Sequence, residues 1–321
     1  MKMFKFNPIL KQTLWGGAKI AALKNLKNAP EKIGESWEIS SVKGNVSVVA
    51  EGEYAGLSLT QLIEKQKECL VGADNYRRFG TDFPLLIKFI DACQDLSIQV
   101  HPTDEQARAV GKPFGKTEMW IIMEGSSPDA SLRVGLQSQI TPEEYKQRVA
   151  DNTICDVIKH YPVSADECFF LPAGRIHSIG AGCLLLEIQQ TSDVTYRIFD
   201  FNRRDANGQL RQLHTAEAAQ CIDYHVEADY QTHYSRQKNV MTPLVSCSYF
   251  TTHILALEGM QRIDLSATDS FILVMAIQGR GIVSDDTGFS LGIQAGETIL
   301  VAASSSWIEV EGSLKVVTAS V

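Results

Sequence analysis

From about residue 240 onward, nearly every segment is a short apolar run closed by Gly, Asn, Asp or Ser, as in "FILVMAIQGRG" (271–281) and "ETILVAASSSW" (297–307). The first 190 residues hold more of the same: "NVSVVA", "PLLIKFI", "MWIIMEG", "CFFLPAG" and "CLLLEIQQ". Runs this short, rich in β-branched and aromatic residues, satisfy their backbone groups only by lateral pairing. Many in succession specify a β-sandwich or barrel. Helix signals are few. Ser58 and Gln61 form a capping box before a stripe through Leu62, Ile63 and Cys69, and Thr103 with Gln106 forms another. Thr141 caps a run with Pro142 at its first position and Glu144 at its third. "HTAEAAQCI" (214–222) is a shorter candidate. The expectation is a mainly β chain with a few helices added in the N-terminal half.

The pattern repeats within the chain. "TEMWIIMEGSS" (117–127) lies over 271–281 with Gly125 on Gly279, and "ECFFLPAGRIH" (167–177) lies over 297–307 with Glu167 on Glu297. The chemistry does not repeat, since Glu118 falls on Ile272 and His177 on Trp307. Two similar β-units of which one keeps its polar residues imply one working site.

A formal charge of −8 argues against nucleic-acid or anionic-membrane binding, which needs a positive surface. The segment "MKMFKFNPILKQTLWGG" lacks an apolar h-region, and no apolar run approaches the roughly 18 residues of a membrane span. The seven cysteines are scattered and never spaced as C-x-x-C, so they read as small buried hydrophobes of a reducing compartment. Together these features predict a cytoplasmic protein, a monomer or weak homodimer, with a small-molecule substrate.

Three segments of the first unit carry candidate metal ligands. In "SIQVHP", Gln99 and His101 stand two apart and share one face of a strand. In "GKTEMWIIMEG", Glu118 opens a strand whose Gly125 ends it, and Lys116 shares its face. In "PAGRIHSIG", Pro172 and Gly174 make a turn that delivers His177. Two histidines, a carboxylate and an amide suit a borderline divalent ion with positions left open for water or substrate. His160, His214, His225, His233 and His253 have no such company and read as ordinary hydrogen-bonded residues.

These residues resemble the cupin superfamily. Its second motif, Pro-x-Gly-x-x-His, is met by Pro172, Gly174 and His177, and the Glu-x6-Gly of its first motif by Glu118 and Gly125. Gln99-x-His101 replaces the usual His-x-His, and in this the chain is similar to the type I mannose-6-phosphate isomerases. The likeness runs from "LWGG" (14–17) and "GESWEIS" (34–40) to "LLEIQQTSDVTYRIFDFNR" (185–203), and "GKTE" (115–118) matches the short bacterial form. The resemblance implies two cupin-type jelly-roll barrels: a catalytic one in 1–238 with helical insertions, and a degenerate, metal-free one in 239–321. It further implies one Zn2+ per chain on Gln99, His101, Glu118 and His177, with Arg197 as the active-site arginine. Mannose 6-phosphate would exchange with fructose 6-phosphate through an enediol.

That reaction needs a base at the carbon and stabilisation of the enediolate oxygen. Glu187, alone among apolar residues in "CLLLEIQQ", and Lys116, beside a metal ligand, are both candidates, and the sequence does not choose between them. Burial would raise the pKa of Glu187, and the cation would lower that of Lys116. Asp193 could orient Arg197 or bind a sugar hydroxyl. Lys88 and Ser97 are the candidates for reading phosphate, with Arg175 and Arg203 as competitors. Trp15, Trp37 and Glu38 could line the site, although both indoles suit the core. Two other readings stand beside this one: an Fe(II) cupin oxygenase, opposed by Gln99, and a non-catalytic sugar-binding cupin, opposed by the proton-transfer groups.

Overall fold

The computed structural model describes residues 2–204 and 207–321. A first barrel is built from two antiparallel sheets. Its seven-stranded sheet runs in space Ile9–Gly17, Ile33–Ile39, Leu85–Asp91, Leu184–Gln190, Glu118–Ile122, Cys168–Leu171, Gln231–Thr232. Its five-stranded sheet runs Tyr196–Phe199, Ile98–Val100, His177–Ile179, Ser131–Leu136, Ile158–Pro162. Trp120, Ile122, Phe169 and Leu185 of the first sheet pack on Leu132, Val134 and Ile179 of the second.

Alternation along the strands assigns the two faces of the seven-stranded sheet. Lys88, Trp120 and Glu187 are direct cross-strand neighbours and turn into the barrel. Ile87, Phe89, Met119, Ile121, Leu186 and Ile188 turn out and are equally buried, because they pack against Phe250, Phe271, Leu273, Met275 and Val317 of a second barrel. The sheet is therefore covered on both sides, which is why "PLLIKFI" and "CLLLEIQQ" read as nearly continuous apolar runs.

The second barrel is a seven-stranded sheet folded on itself. Three strands of 14 residues, Thr251–Asp264, Ile272–Asp285 and Trp307–Ser320, lie side by side. Gly259, Gly312 and Gly281 form one cross-strand row at their middle. A Cβ would meet Glu311 O at 2.3 Å from Gly281 and Arg280 O at 2.6 Å from Gly312. The glycine row lets all three strands bend together, so that both halves of one sheet enclose Leu255, Val274, Val283, Val310 and Val316. The first strand of the chain, Met3–Phe4, pairs with Thr298–Val301 and belongs to this sheet.

The internal repeat holds at the level of register. Glu118 pairs with Leu171 as Ile272 pairs with Val301. Ile122 N donates to Glu167 O at 2.9 Å, and Ala276 N to Glu297 O at 3.0 Å. Both glutamates also accept a backbone N–H three residues upstream, from Ser164 and Gln294. Glu167 and Glu297 thus recur because they close the same turn in each barrel.

The helices at Leu59–Gln66, Asp104–Ala109 and Pro142–Ala150 carry the caps read from the sequence. Two details differ. The first of them stops at Lys67, whose φ of 48° breaks the stripe, so Cys69 lies exposed in the next turn rather than on the apolar face. The last helix, Thr215–Cys221, falls beyond the N-terminal half.

Candidate metal centre

The five-stranded sheet carries one row of polar side chains toward the barrel interior, Arg197 opposite Gln99 and Gln99 opposite His177. The facing sheet contributes Glu118, with Lys88 and Glu187 in the adjoining row. His177 reaches its place because Gly174 adopts φ +92°, where any Cβ would sit 2.9 Å from Cys221 O.

His101, Glu118 and His177 are buried and bring one donor atom each to within 4.8 Å of one another. His177 Nε2 lies 3.3 Å from Glu118 Oε1, and His101 Nε2 lies 3.6 Å from Oε2. Gln99 Nε2 lies 3.2 Å from His177 Nε2, and the amide turned end for end presents Oε1 to the same point. Each imidazole donates its other proton backward, His101 Nδ1 to Val194 O at 2.9 Å and His177 Nδ1 to Arg175 O at 2.8 Å. This fixes the tautomer that leaves both Nε2 lone pairs facing Glu118. Burial pushes both rings down, His101 well below the usual histidine range with help from Lys116, and His177 to about 3. Neutral imidazoles are what a metal requires. Neither oxygen of Glu118 accepts a hydrogen bond of good geometry, and burial, then the Glu187 charge, raises its carboxyl to about 7. A buried carboxylate facing two oriented imidazoles, with Lys116 against one of its oxygens, fits a divalent cation.

Beside these ligands lies a lattice of charge. Lys116 Nζ sits 2.7 Å from Glu118, 3.1 Å from His101 Nε2 and 3.9 Å from Glu187. Lys88 Nζ sits 3.0 Å from Glu187 and 3.8 Å from Glu35, and Trp120 Nε1 donates to Glu187 at 2.9 Å. Burial works against a charged Glu187, but Lys116, Lys88 and the indole N–H outweigh it and hold the carboxyl at about 2. The rise expected from burial alone is thus reversed by two lysines. Lys88 in turn is held charged above its ordinary range, its own burial outweighed by Glu187 and Glu35.

These groups open into a cavity of about 900 Å³ whose lining includes Ser97, Gln99, Lys88, Lys116, Glu187, Asp193 and Arg197. Ser97 is buried. Asp193 is exposed at the rim and ion-pairs with Lys112 at 3.5 Å, so it does not orient Arg197. Arg197 Nη1 donates to Gln212 O at 3.0 Å. Arg175 lies outside the cavity, ion-paired to Glu227 and stacked on Tyr230, and Arg203 is bound to Asp200. Trp15 lines the cavity; Trp37 lies against Lys88, 5.2 Å from its Nζ; Glu38 faces away, 2.8 Å from Lys24. Glu35, Arg211 and His214 also line the cavity, and sequence reasoning did not place them there. The inward alternation of Glu35 with Trp37 was the one available sign.

Fold and site together define a cupin with a metal-capable His/Glu/His centre. Comparison with known proteins narrows the class. The family model "Phosphomannose isomerase type I, catalytic domain" matches residues 3–148, and "Mannose-6-phosphate isomerase, cupin domain" matches 240–321. Mannose-6-phosphate isomerase ManA of Bacillus subtilis is 33% identical over 279 residues, 86% of this chain and 85% of that protein. The mannose-6-phosphate isomerase of Streptococcus mutans is 32% identical over 268 residues, 83% of each. The crystal structure of the Bacillus subtilis mannose 6-phosphate isomerase superposes with a TM-score of 0.88 at 26% identity, covering 99% of both chains. A variant of the Salmonella typhimurium phosphomannose isomerase, 16% identical, shares the fold at a TM-score of 0.80 over 99% of both chains. The chain belongs to the type I mannose-6-phosphate isomerase family, whose members are aldose–ketose isomerases. That membership sets aside the oxygenase and binding-module readings. No helix among the described residues is long and apolar enough to cross a membrane.

Proposed function

We propose that this chain interconverts mannose 6-phosphate and fructose 6-phosphate through an enediol, using one zinc ion held by Gln99, His101, Glu118 and His177. The observation that carries the reading is the buried Glu118 carboxylate, met by Lys116 on one oxygen and facing two imidazoles whose Nδ1 protons are already committed to backbone carbonyls. When bound, the ion supplies a Lewis acid for the sugar oxygens at C1 and C2.

The remaining steps fall to the chain's own side chains. Glu187 is ionised at neutral pH and faces the cavity, so it takes the proton from one carbon and returns it to the next. Trp120 holds one of its oxygens at 2.9 Å and Lys88 holds the other at 3.0 Å, fixing the direction of attack. Lys116, between Glu118 and Glu187, donates to the sugar oxygen where charge develops. Arg197, opposite Gln99, adds a fixed positive charge on the same wall. Asp193 at the rim is placed to take a sugar hydroxyl. Residues 1–238 supply this machinery. The unit 239–321 is metal-free because Ile272 and Trp307 stand where the first barrel has Glu118 and His177.

A coupled assay for fructose 6-phosphate formed from mannose 6-phosphate, with glucose 6-phosphate as competitor, tests the assignment. Turnover selective for the mannose epimer is expected; none on either substrate refutes it.

A further inference from the structure

The phosphate end of the substrate has to be met somewhere in the cavity, and Lys88 is not free to meet it. Its ammonium already faces Glu187 at 3.0 Å and Glu35 at 3.8 Å, and it is 7% exposed. Drawing it to a dianion would leave Glu187 buried with half its counter-charge. Ser97 is uncharged and buried in the lining, two residues before Gln99.

The wall around Arg197 has the reverse imbalance. Arg203 and Arg211 share a single carboxylate, both reaching Asp200 Oδ1, with Arg211 at 3.4 Å. No carboxylate among the described residues ion-pairs with the neighbouring Arg197, and its Nε is buried with no hydrogen-bond partner. Burial and the charge of Arg211 push the Arg197 guanidinium below its ordinary range. Three guanidiniums around one carboxylate, in a protein of net charge −8, is an arrangement that an anion completes.

Arg197, Arg211 and His214 line the cavity, while Arg203 does not. His214 Nδ1 accepts the Arg197 N–H at 3.2 Å, which leaves Nε2 as the protonated nitrogen of the neutral ring and a donor. His214 N in turn donates to Arg197 O at 2.7 Å, so the returning loop is tied to the strand that carries Arg197.

The spacing agrees. His177, Gln99 and Arg197 occupy successive strands in register, about 10 Å for two inter-strand steps. An extended open-chain hexose 6-phosphate spans about 7.5 to 9 Å from its carbonyl carbon, C2 or C1, to phosphorus at bond lengths of about 1.5 Å. A substrate with its carbonyl end beside His177 is long enough to bring its phosphate to the strand of Arg197.

We propose that Arg211 and His214 hold the phosphate of the sugar substrate beside Arg197, an inference that rests on reading the substrate as a hexose 6-phosphate. Arg211 supplies the paired N–H donors and His214 a single Nε2–H, and neither takes part in proton transfer.

Two measurements test it. Calorimetric binding of inorganic phosphate to the metal-loaded protein reads the subsite without turnover, and Arg211→Gln should weaken it at least tenfold at unchanged metal content. In the coupled assay, Arg211→Gln and His214→Ala should each lower kcat/KM for mannose 6-phosphate 10- to 100-fold, with Arg211→Lys recovering part of the loss. Wild-type phosphate affinity and kcat/KM in Arg211→Gln would overturn the proposal, as would a loss found in Ser97→Ala instead. A wild-type enzyme that binds phosphate through Arg211 but does not isomerise mannose 6-phosphate would refute the reaction assigned above and leave the subsite standing.

Discussion

Replacing Lys88 with methionine keeps the length of the side chain and removes one of the two cations that face Glu187. At an effective dielectric constant of about 20, opposite charges 3.0 Å apart attract by about 5.5 kcal/mol, and Lys116 at 3.9 Å retains about 4 kcal/mol of attraction. Removing one partner of a buried pair costs about 3–5 kcal/mol, and the remaining lysine puts Lys88→Met near the lower bound, about 3 kcal/mol. Glu187→Gln leaves Lys88 with only Glu35 at 3.8 Å and is destabilising for the converse reason. The double variant buries neither charge, so its cost should fall short of the sum by about 2 kcal/mol.

Urea unfolding of the four proteins at pH 7 measures this coupling. A second readout is pH. The folded pKa of Glu187, about 2, lies below its ordinary value of 4.5, so its contribution to stability is present above pH 4.5 and is lost as pH falls through 2. Lys88→Met moves the folded value upward, so the gap between wild type and variant should narrow as the medium is acidified from pH 6 to pH 3. Additive single costs, or a gap that stays constant with pH, would refute the idea that Lys88 holds Glu187 charged.

Arg197→Ala should keep both fold and metal while lowering kcat by two to three orders of magnitude, measured by the coupled assay with metal content as control. Gly135→Ala should destabilise by more than about 2 kcal/mol in thermal unfolding, because φ is +70° and the new Cβ would lie 2.1 Å from the Tyr230 ring.

The candidate ligands were legible because each depends on local rules. Spacing of two puts Gln99 and His101 on one face, and a Pro–Gly turn delivers His177. The sheet then needed only to bring the three strands together. The charge state of Glu187 was not legible. An isolated glutamate among Leu and Ile reads as a carboxyl with a raised pKa, and the reversal comes from Lys88 and Lys116 on other segments. The ion pairs of Lys88 were not legible for the same reason, since its partners Glu35 and Glu187 meet it only across the folded sheet. Glu38 could not be told from Glu35 or Trp37 until alternation was anchored by the pairing of Trp37 with Lys88. The pairing of Met3–Phe4 with the second barrel has no sequence signature, because a two-residue strand has no period to read. His214 looked ordinary because its company, Arg197 and Arg211, is assembled by a loop.

Metal content and turnover, followed together, bear most directly on the central claim that His101, Glu118, His177 and Gln99 grip an ion which makes the sugar's C–H acidic. Elemental analysis should find about one ion per chain in the purified protein and none in His177→Ala. Chelation should abolish isomerase activity and zinc should restore it in proportion to occupancy. Full turnover by a metal-free preparation would contradict the account.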